Sequence, residues 1–459
     1  MNDALTRAAA IEELIGSGAY REAPQPVAEA VVSCCYQLLD AGEPGRAIEL
    51  LKSSAELQPV AEQEWALRLG VVHARALSLA GSFQDSLRLL EQLSSEHAGL
   101  LPQRHSEFYQ IRICEASNLW GLNRVDEAAE KLLGIRAELL LHPDSYLLGW
   151  CAFQLASAET VRGEHHQARR FALEAIVSAR RSDSRYLEAS ALLTYSLLER
   201  ALCRWTGAGE AAEESLSISR DEGFSVLECH ALRSVAIVAW KRGETERALR
   251  LSRDQLQRAA EIGNGRLQWF ATLLRGMVLL HVGGFDEALR LFELGARWDV
   301  PESQSRPSLL TTEFLGDIHL EQGEAVAALR YYDEVWPKAL ALVPKGDIVA
   351  ELRRRRAECY HLLGRHEEAY AEAQTGLAHC RELGDRYEEA ATYRVLGLTA
   401  AAVGEATEAH RWFEQACELQ LNRRARKSGR SPSRGYRVAC LRRRSPRGSL
   451  RPESLPAAA

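Results

Sequence analysis

The sequence predicts an all-α fold built as a linear pile of helix hairpins. Three observations carry this. A Gly-x4-Ala spacing recurs at a step of about forty residues, a small residue stands seven places before nearly every recurrence, and apolar residues flank each one at helical spacing. The background composition agrees: of 459 residues only 14 are Pro, and Ala, Leu, Glu and Arg dominate, which favours helix by intrinsic propensity.

The spacing occurs at Gly42/Ala47, Gly163/Ala168, Gly207/Ala212, Gly243/Ala248, Gly283/Ala288, Gly323/Ala328, Gly364/Ala369 and Gly404/Ala409, with near-matches at Gly81/Ser86 and Asn123/Ala128. Successive first members stand 39, 42, 40, 44, 36, 40, 40, 41 and 40 residues apart, which makes ten tandem units. Seven residues before the markers stand Cys35, Ala74, Ala116, Ala156, Arg200, Ala236, Gly276, Gly316, Ala357 and Gly397. Arg200 is the one large residue, and the steps on both sides of Gly207 are irregular. Together they predict an insertion or a bent hairpin around "CRWTGAGEAA".

Each marker suits a left-handed C-terminal cap, where a Cβ costs energy. The chain then turns back into a second helix, and small residues on both sides of the turn let the two helices approach. Leu90, Leu132, Leu216, Phe292, Tyr332 and Phe413 are expected to fill the space between one hairpin and the next. No hairpin can bury its apolar surface alone, so the core is shared between neighbours.

Residues 1–26 read as a capping helix, about Asp3 to Ile15, followed by the Gly- and Pro-containing linker "GSGAYREAPQP". Gly18/Ala23 also fits the spacing and reads as the second half of a clipped repeat. The array spans 27–421. Residues 422–459 lack a helical period and read as a disordered tail. This tail holds twelve Arg or Lys and one Glu, so it carries +11; with a net charge of −6, the rest carries −6 − 11 = −17. An acidic body does not suit nucleic acid, so contact with nucleic acid is confined to the tail. Three readings of the tail stand: a basic arm for RNA, DNA or acidic lipid, an inert end, or an out-of-frame end to a longer gene. The last is the expectation, because the final repeat lacks a polar capping helix.

The ten Cys include no C-x-x-C pair and read as small packing residues in a reducing compartment. No signal peptide and no apolar run long enough to span a bilayer is visible, so a cytoplasmic protein is expected. No P-loop, H-E-x-x-H, G-x-S-x-G or Rossmann fingerprint occurs. His165 and His166 are adjacent, and so face different sides of a helix. Glu213-Glu214 and Glu388-Glu389 read as solvated helix charges. No catalytic activity, cofactor or metal is expected.

Small-x6-Gly-x4-Ala-x3-aromatic or Leu resembles the tetratricopeptide repeat, most clearly in "LGDIHLEQGEAVAALRYYDEV" and "RVLGLTAAAVGEATEAHRWFEQACEL". The resemblance covers about Val27 to Leu421, with a longer period than the usual 34, as in bacterial transcriptional and signalling regulators. HEAT or armadillo arrays share a period near forty and rank second, because the Gly-x4-Ala register is not theirs.

The resemblance implies a right-handed superhelical solenoid that binds protein or peptide in a concave groove. It puts the groove thirteen, ten, six and three places before each marker. These positions are Gln110, Ile113, Ser117, Trp120, Trp150, Phe153, Ser157 and Thr160 in the third and fourth units. They are His230, Arg233, Ile237, Trp240, Phe270, Leu273, Met277 and Leu280 in the sixth and seventh, and include Glu313, Asp317, Glu351, Arg354 and Glu358 in the eighth and ninth. The middle of such a groove is aromatic and its later end acidic, which suits an apolar or amphipathic peptide with a basic flank. The same aromatics equally suit packing between long helices, Phe270 and Met277 above all. None of these positions is Asn or Lys, which argues against the family's chaperone-tail binding.

Overall fold

The computed structural model describes residues 2–57, 62–141, 144–202, 204–296, 306–342, 344 and 346–428, and among them every regular element is helical. Two compact units divide the chain at residues 264 and 265.

The first unit opens with α1 (Asn2–Gly16). Hairpins follow: α2 (Pro24–Asp40) with α3 (Pro44–Ser53), α4 (Gln63–Leu79) with α5 (Phe83–Glu96), α6 (His105–Gly121) with α7 (Val125–Leu141), and α8 (Ser145–Val161) with α9 (His165–Arg181). Two more are α10 (Arg185–Ala201) with α11 (Trp205–Asp221) and α12 (Ser225–Lys241) with α13 (Thr245–Ile262). The second unit holds α14 (Gly265–Val282) with α15 (Phe285–Ala296), α16 (Arg306–Glu321) with α17 (Ala325–Leu342), α18 (Asp347–Leu362) with α19 (His366–Leu383), and α20 (Arg386–Ala402) with α21 (Ala406–Ser428). The expected all-α array of about ten hairpins is what the chain forms.

The turns have the geometry that the markers demand. Gly42, Gly81, Gly163, Gly243, Gly283, Gly323, Gly364 and Gly404 have φ between 73° and 88°, and Asn123 has φ 64°. Behind each, the next amide reaches back to a carbonyl five residues earlier, as in Glu43 N to Leu38 O (2.8 Å) and Glu244 N to Ala239 O (2.9 Å). This bond satisfies a carbonyl that the helix end leaves over.

The fifth turn corrects the sequence reading. Gly207 lies inside α11 and marks no turn. The reversal falls between Leu202 and Arg204, where Arg204 N donates to Glu199 O at 2.7 Å, the same closing bond as elsewhere. Arg204, the donor of this bond, stands forty residues after Glu164 and forty before Glu244, the donors of the flanking turns. The small residue that matches this register is Ser196, not Arg200. Both helices of this hairpin have 17 residues, like the flanking α9 and α12, so neither helix carries an insertion.

Within a hairpin the small positions meet. Ser86 Oγ donates to Ala74 O at 2.7 Å, and Ser196 Oγ to Ala208 O at 2.7 Å. Of the large residues, Leu132 and Leu216 pack against the next hairpin as expected, but several rings also fill their own hairpin. A Cβ on Gly316 would fall 2.6 Å from Tyr332, and one on Gly397 2.7 Å from Phe413, so these rings fill the seam of their own hairpin. Phe292 lies against Gly276 in the same way and also stacks on Phe314 of the next hairpin, with centroids 5.6 Å apart.

Ala4, Ala8 and Ile15 of α1 join the apolar cluster of α2 and α3, so the first helix covers the start of the array. Cys34, Cys35, Cys151, Cys229, Cys359 and Cys380 are buried thiols without disulfides, as their packing role requires. α21 runs on to Ser428, across the expected boundary at 421. The rest of the basic tail, 429–459, lies outside the described residues.

Candidate ligand-binding face

In the first unit the first helices of successive hairpins pack on one another: α2 on α4, α4 on α6, α6 on α8, α8 on α10 and α10 on α12. Side chains also meet across two hairpins. Tyr36 on α2 donates to Gln110 Oε1 on α6 at 3.0 Å, and Arg75 on α4 donates to the Tyr146 hydroxyl on α8 at 3.0 Å. Such reach requires the inside of a curve, so the first helices line a concave face. The curve is tight. A Cβ on Gly42, in the first turn, would overlap Val226 at the start of α12.

Arg75 stands at the centre of this face. Its guanidinium carbon lies 4.3 Å from the Trp150 ring centroid and 5.4 Å from that of Tyr36, a cation held between two π-faces. Tyr186 and Asp40 complete the surround, close enough for Asp40 to feel the field of Arg75. Burial lifts the Asp40 carboxyl to about 6, against the opposing pull of Arg75. Burial also pushes the Tyr36 and Tyr186 hydroxyls to about 12, so both stay protonated donors. Tyr36, Asp40, Arg75, Gln110, Tyr146, Trp150 and Tyr186 are all half-buried, recessed but open in part to solvent.

The expected groove residues fall into distinct groups. Gln110 and Trp150 belong to the cluster around Arg75, and Phe153 stacks on Trp150 at 5.5 Å. Ser117, Ser157 and Thr160 are half-buried, and each donates its hydroxyl to the carbonyl four residues back. Trp120, at the end of α6, is 40% exposed. Arg233 and Trp240 are half-buried on α12, with Lys241 Nζ 4.5 Å from the Trp240 ring. Phe270 belongs to the second unit and stacks on Trp269 at 5.8 Å. Ile113 and Leu273 are buried core, although Phe153 and Arg233 at the same offset of ten are half-buried.

The expected acidic end is not an open acidic surface. In the second unit Glu313 is 0% exposed, 2.5 Å from Arg355 Nη1, and Asp317 makes a two-point contact with the same guanidinium at 2.5 and 2.9 Å. Tyr332 donates to Asp317 at 2.7 Å. Glu358 pairs with Arg354 at 2.8 Å and also with Arg394, and Arg354 reaches Glu388 at 2.6 Å. The carboxylates therefore tie α16, α18 and α20 together. Burial holds the Glu313 carboxyl well above its usual range despite Arg355.

Sequence reasoning passed over Tyr36, Asp40, Arg75, Tyr146 and Tyr186. Tyr36 and Arg75 stand six places before Gly42 and Gly81, the same offset as Ser117 and Ser157, so the repeat register does signal these two. Among the described residues no group of three or more His, Cys, Asp and Glu is placed to share a metal ion, and no helix is long and apolar enough to cross a membrane.

A tetratricopeptide repeat family model matches residues 348–422. Among solved structures, a Rap protein complexed with Competence and Sporulation Factor is similar at a TM-score of 0.57 and 14% identity, over 78% of this chain and 98% of that one. The apo form of the quorum sensor NprR from B. thuringiensis is similar at 0.53 and 14% identity, over 76% and 98%. NprR in complex with its cognate peptide NprX is similar at 0.50 and 15% identity, over 67% and 89%. A search of curated proteins gave no significant match. From its repeat register, its capped turns, the helix pairing and these similarities, the chain has the fold of a tetratricopeptide-type helical-repeat array with a period of about forty residues.

Proposed function

We propose that this chain is a peptide-binding scaffold or sensor module of a bacterial signalling or transcriptional regulator, that it works in the cytoplasm, and that it acts by binding rather than catalysis. The observation that carries this reading is the concave face of the first unit. Aromatic rings and hydrogen-bonding groups converge there from α2, α4, α6 and α8, recessed yet still partly open to water. Trp150 and Phe153 offer flat apolar area, Gln110 an amide able to meet a peptide backbone, and Ser157 and Thr160 acceptor oxygens. Similar solved structures include a Rap protein complexed with Competence and Sporulation Factor and NprR in complex with its cognate peptide NprX, which supports the same reading.

The test uses a mixture of random-sequence synthetic heptapeptides and the full-length chain. Peptides that co-elute with the protein on rapid gel filtration are identified by mass spectrometry. We expect recovery by the natural chain and at least about a tenfold loss in a folded Trp150→Ala/Gln110→Ala variant, the scale of a binding hot spot. Equal recovery by both removes this face as the site, and no recovery by either ends the peptide reading. Recovery that is lost on deleting residues 422–459 and falls steeply with salt transfers the activity to the basic tail, with nucleic acid as its partner class.

A further inference from the structure

The second helices of the first unit lie outside the curve. α7 and α9 are neighbours there, bridged by Arg136 and Glu174 at 3.0 Å. Exposed positions recur on both at helical spacing: Glu130, Leu133, Ala137 and Leu140 on α7, and Arg170, Leu173, Val177 and Arg180 on α9. Each member of one series stands forty places from its counterpart in the other. The apolar members depart from the repeat. Nine residues after the amide that closes each turn, eight of the ten hairpins carry Lys, Glu, Arg, Asp or Gln, including Glu91 and Glu213 on the flanking α5 and α11. Only α7 and α9 have Leu there, Leu133 and Leu173, so the fold itself does not require an apolar side chain at this position. Leu140 and Val177 are 49% and 48% exposed. A Cβ on Gly134, beside Leu133, would meet nothing within 4 Å, so no side chain of the unit leans over α7 here. Apolar residues grouped in this way on an outer surface point to a partner.

The charges around them say which partner. Six residues after the same closing amides, the six second helices of this unit carry Glu49, Arg88, Glu130, Arg170, Glu210 and Arg250, which alternate in sign. The midpoint of that row falls between α7 and α9. A two-fold axis placed there, parallel to the helices, turns every charge of the row toward its opposite. Glu130 then meets the partner's Arg170, Leu133 the partner's Leu173, and Ala137 the partner's Val177. Within their own chain Glu130 and Arg170 have no ion-pair partner within 4.0 Å among the described residues.

We propose that the outer surface of α7 and α9 is where two copies of this chain meet, around a two-fold axis that opposes α7 of one to α9 of the other. This inference does not draw on the peptide-binding reading. The outside of a curve falls away from its highest point, so α7 and α9 make the contact while Arg88 and Glu210 stand at its rim. Two helices of 17 residues are each about 25 Å long, a patch smaller than the about 800 Å² per partner of a standard interface. The dimer therefore forms at micromolar rather than nanomolar chain concentration.

Sedimentation velocity of the full-length chain over about 1–200 µM tests this. The expected result is a shift from monomer to dimer as concentration rises. Leu133→Asp/Leu173→Asp should raise the dissociation constant by at least about tenfold. Glu130→Arg and Arg170→Glu, each alone, oppose like charges and should weaken self-association. Mixed in equal amounts, these two variants should form a heterodimer, because both opposed pairs are then of unlike sign. All four positions are exposed, and circular dichroism checks that each variant folds. A natural chain that stays monomeric at every concentration overturns the inference without recourse to any variant, and leaves the patch to a different protein. A dimer that Leu133→Asp/Leu173→Asp leaves unchanged uses another surface and also overturns it. So does a mixture of the two charge variants that associates no better than either alone.

Discussion

Ser196 on α10 donates its Oγ proton to the carbonyl oxygen of Ala208 on α11 at 2.7 Å, and Ser196 is fully buried. The two residues are twelve apart, as are Ala74 and Ser86, so the hydroxyl bridges the same seam from either side. Replacing Ser196 by Ala removes one buried hydrogen bond but leaves the Ala208 carbonyl within its helix, a loss of about 1 kcal/mol. Ser196→Leu forces extra volume into the seam and should cost about 1–3 kcal/mol. Urea unfolding followed by circular dichroism would rank the two, and a Leu variant no worse than Ala would refute close packing here.

Gly316 and Gly397 face the rings of Tyr332 and Phe413, and Gly276 faces Phe292. Alanine improves helix propensity at each, by about 1 kcal/mol. Overpacking of about 1–3 kcal/mol should outweigh that gain. Gly316→Ala is therefore expected to lower stability in a melting experiment, and shrinking the ring with Tyr332→Leu should reduce the penalty in the double variant.

Gly42 and Gly243 have similar backbone, with φ 84° and 75°, but only Gly42 has a neighbour where a Cβ would go. Alanine at Gly243 should cost only the left-handed strain, about 1–2 kcal/mol. Alanine at Gly42 should cost more, because Val226 must also move. Pairing Gly42→Ala with Val226→Ala should return the cost toward that of Gly243→Ala. Additive effects in the double variant would show that the two sites do not touch.

Asp40 gives the stability of the first unit a pH dependence. Its folded value is about 6 against an ordinary 3.8, so the native state favours the protonated acid. The groups that face it are Arg75 from α4 and Tyr186 from α10. The stability it contributes is fully present below the ordinary value and is lost as pH rises through about 6, by at most about 3 kcal/mol and less to the extent that solvent reaches the half-buried carboxyl. Asp40→Asn should remove this part of the slope. Denaturation midpoints of the two proteins, measured from pH 4 to 7, would converge toward low pH if this is right, and a constant difference would refute it.

Breaking the buried charge group of the second unit should be severe. Arg355→Met leaves Glu313 and Asp317 without their shared cation, at about 3–5 kcal/mol. Glu313→Gln keeps the shape and removes a charge that burial already disfavours, so it should be much milder. A thermal melt in which Glu313→Gln unfolds as early as Arg355→Met would contradict this ordering.

The period, the capped turns and the paired helices were legible because each is written locally: a residue tolerant of positive φ, a small residue seven places earlier, and apolar spacing between. The fifth turn was misread because no Gly or Asn stands between Glu199 and Arg204, while Gly207 supplies a false match inside α11. The candidate site was half legible. Offsets found Gln110 and Trp150, but Asp40, Tyr146 and Tyr186 lie outside that scheme, and their meeting depends on how sharply the first unit curves. No local pattern encodes this curvature, because it accumulates over several hairpins. The acidic residues 313, 317 and 358 were read as the lining of a groove, but arginines 354, 355 and 394 meet them there, Arg355 and Arg394 from a neighbouring hairpin, so the charge was assigned to an open surface.

Repeat arrays are usually free to gain or lose a unit, since every unit touches only its neighbours. The meeting of Gly42 with Val226 withdraws that freedom from the first unit: the number of hairpins between them is set by the lap they complete. Duplicating or excising one forty-residue module there would leave the two ends out of step, whereas the same edit in an open array would only change its length.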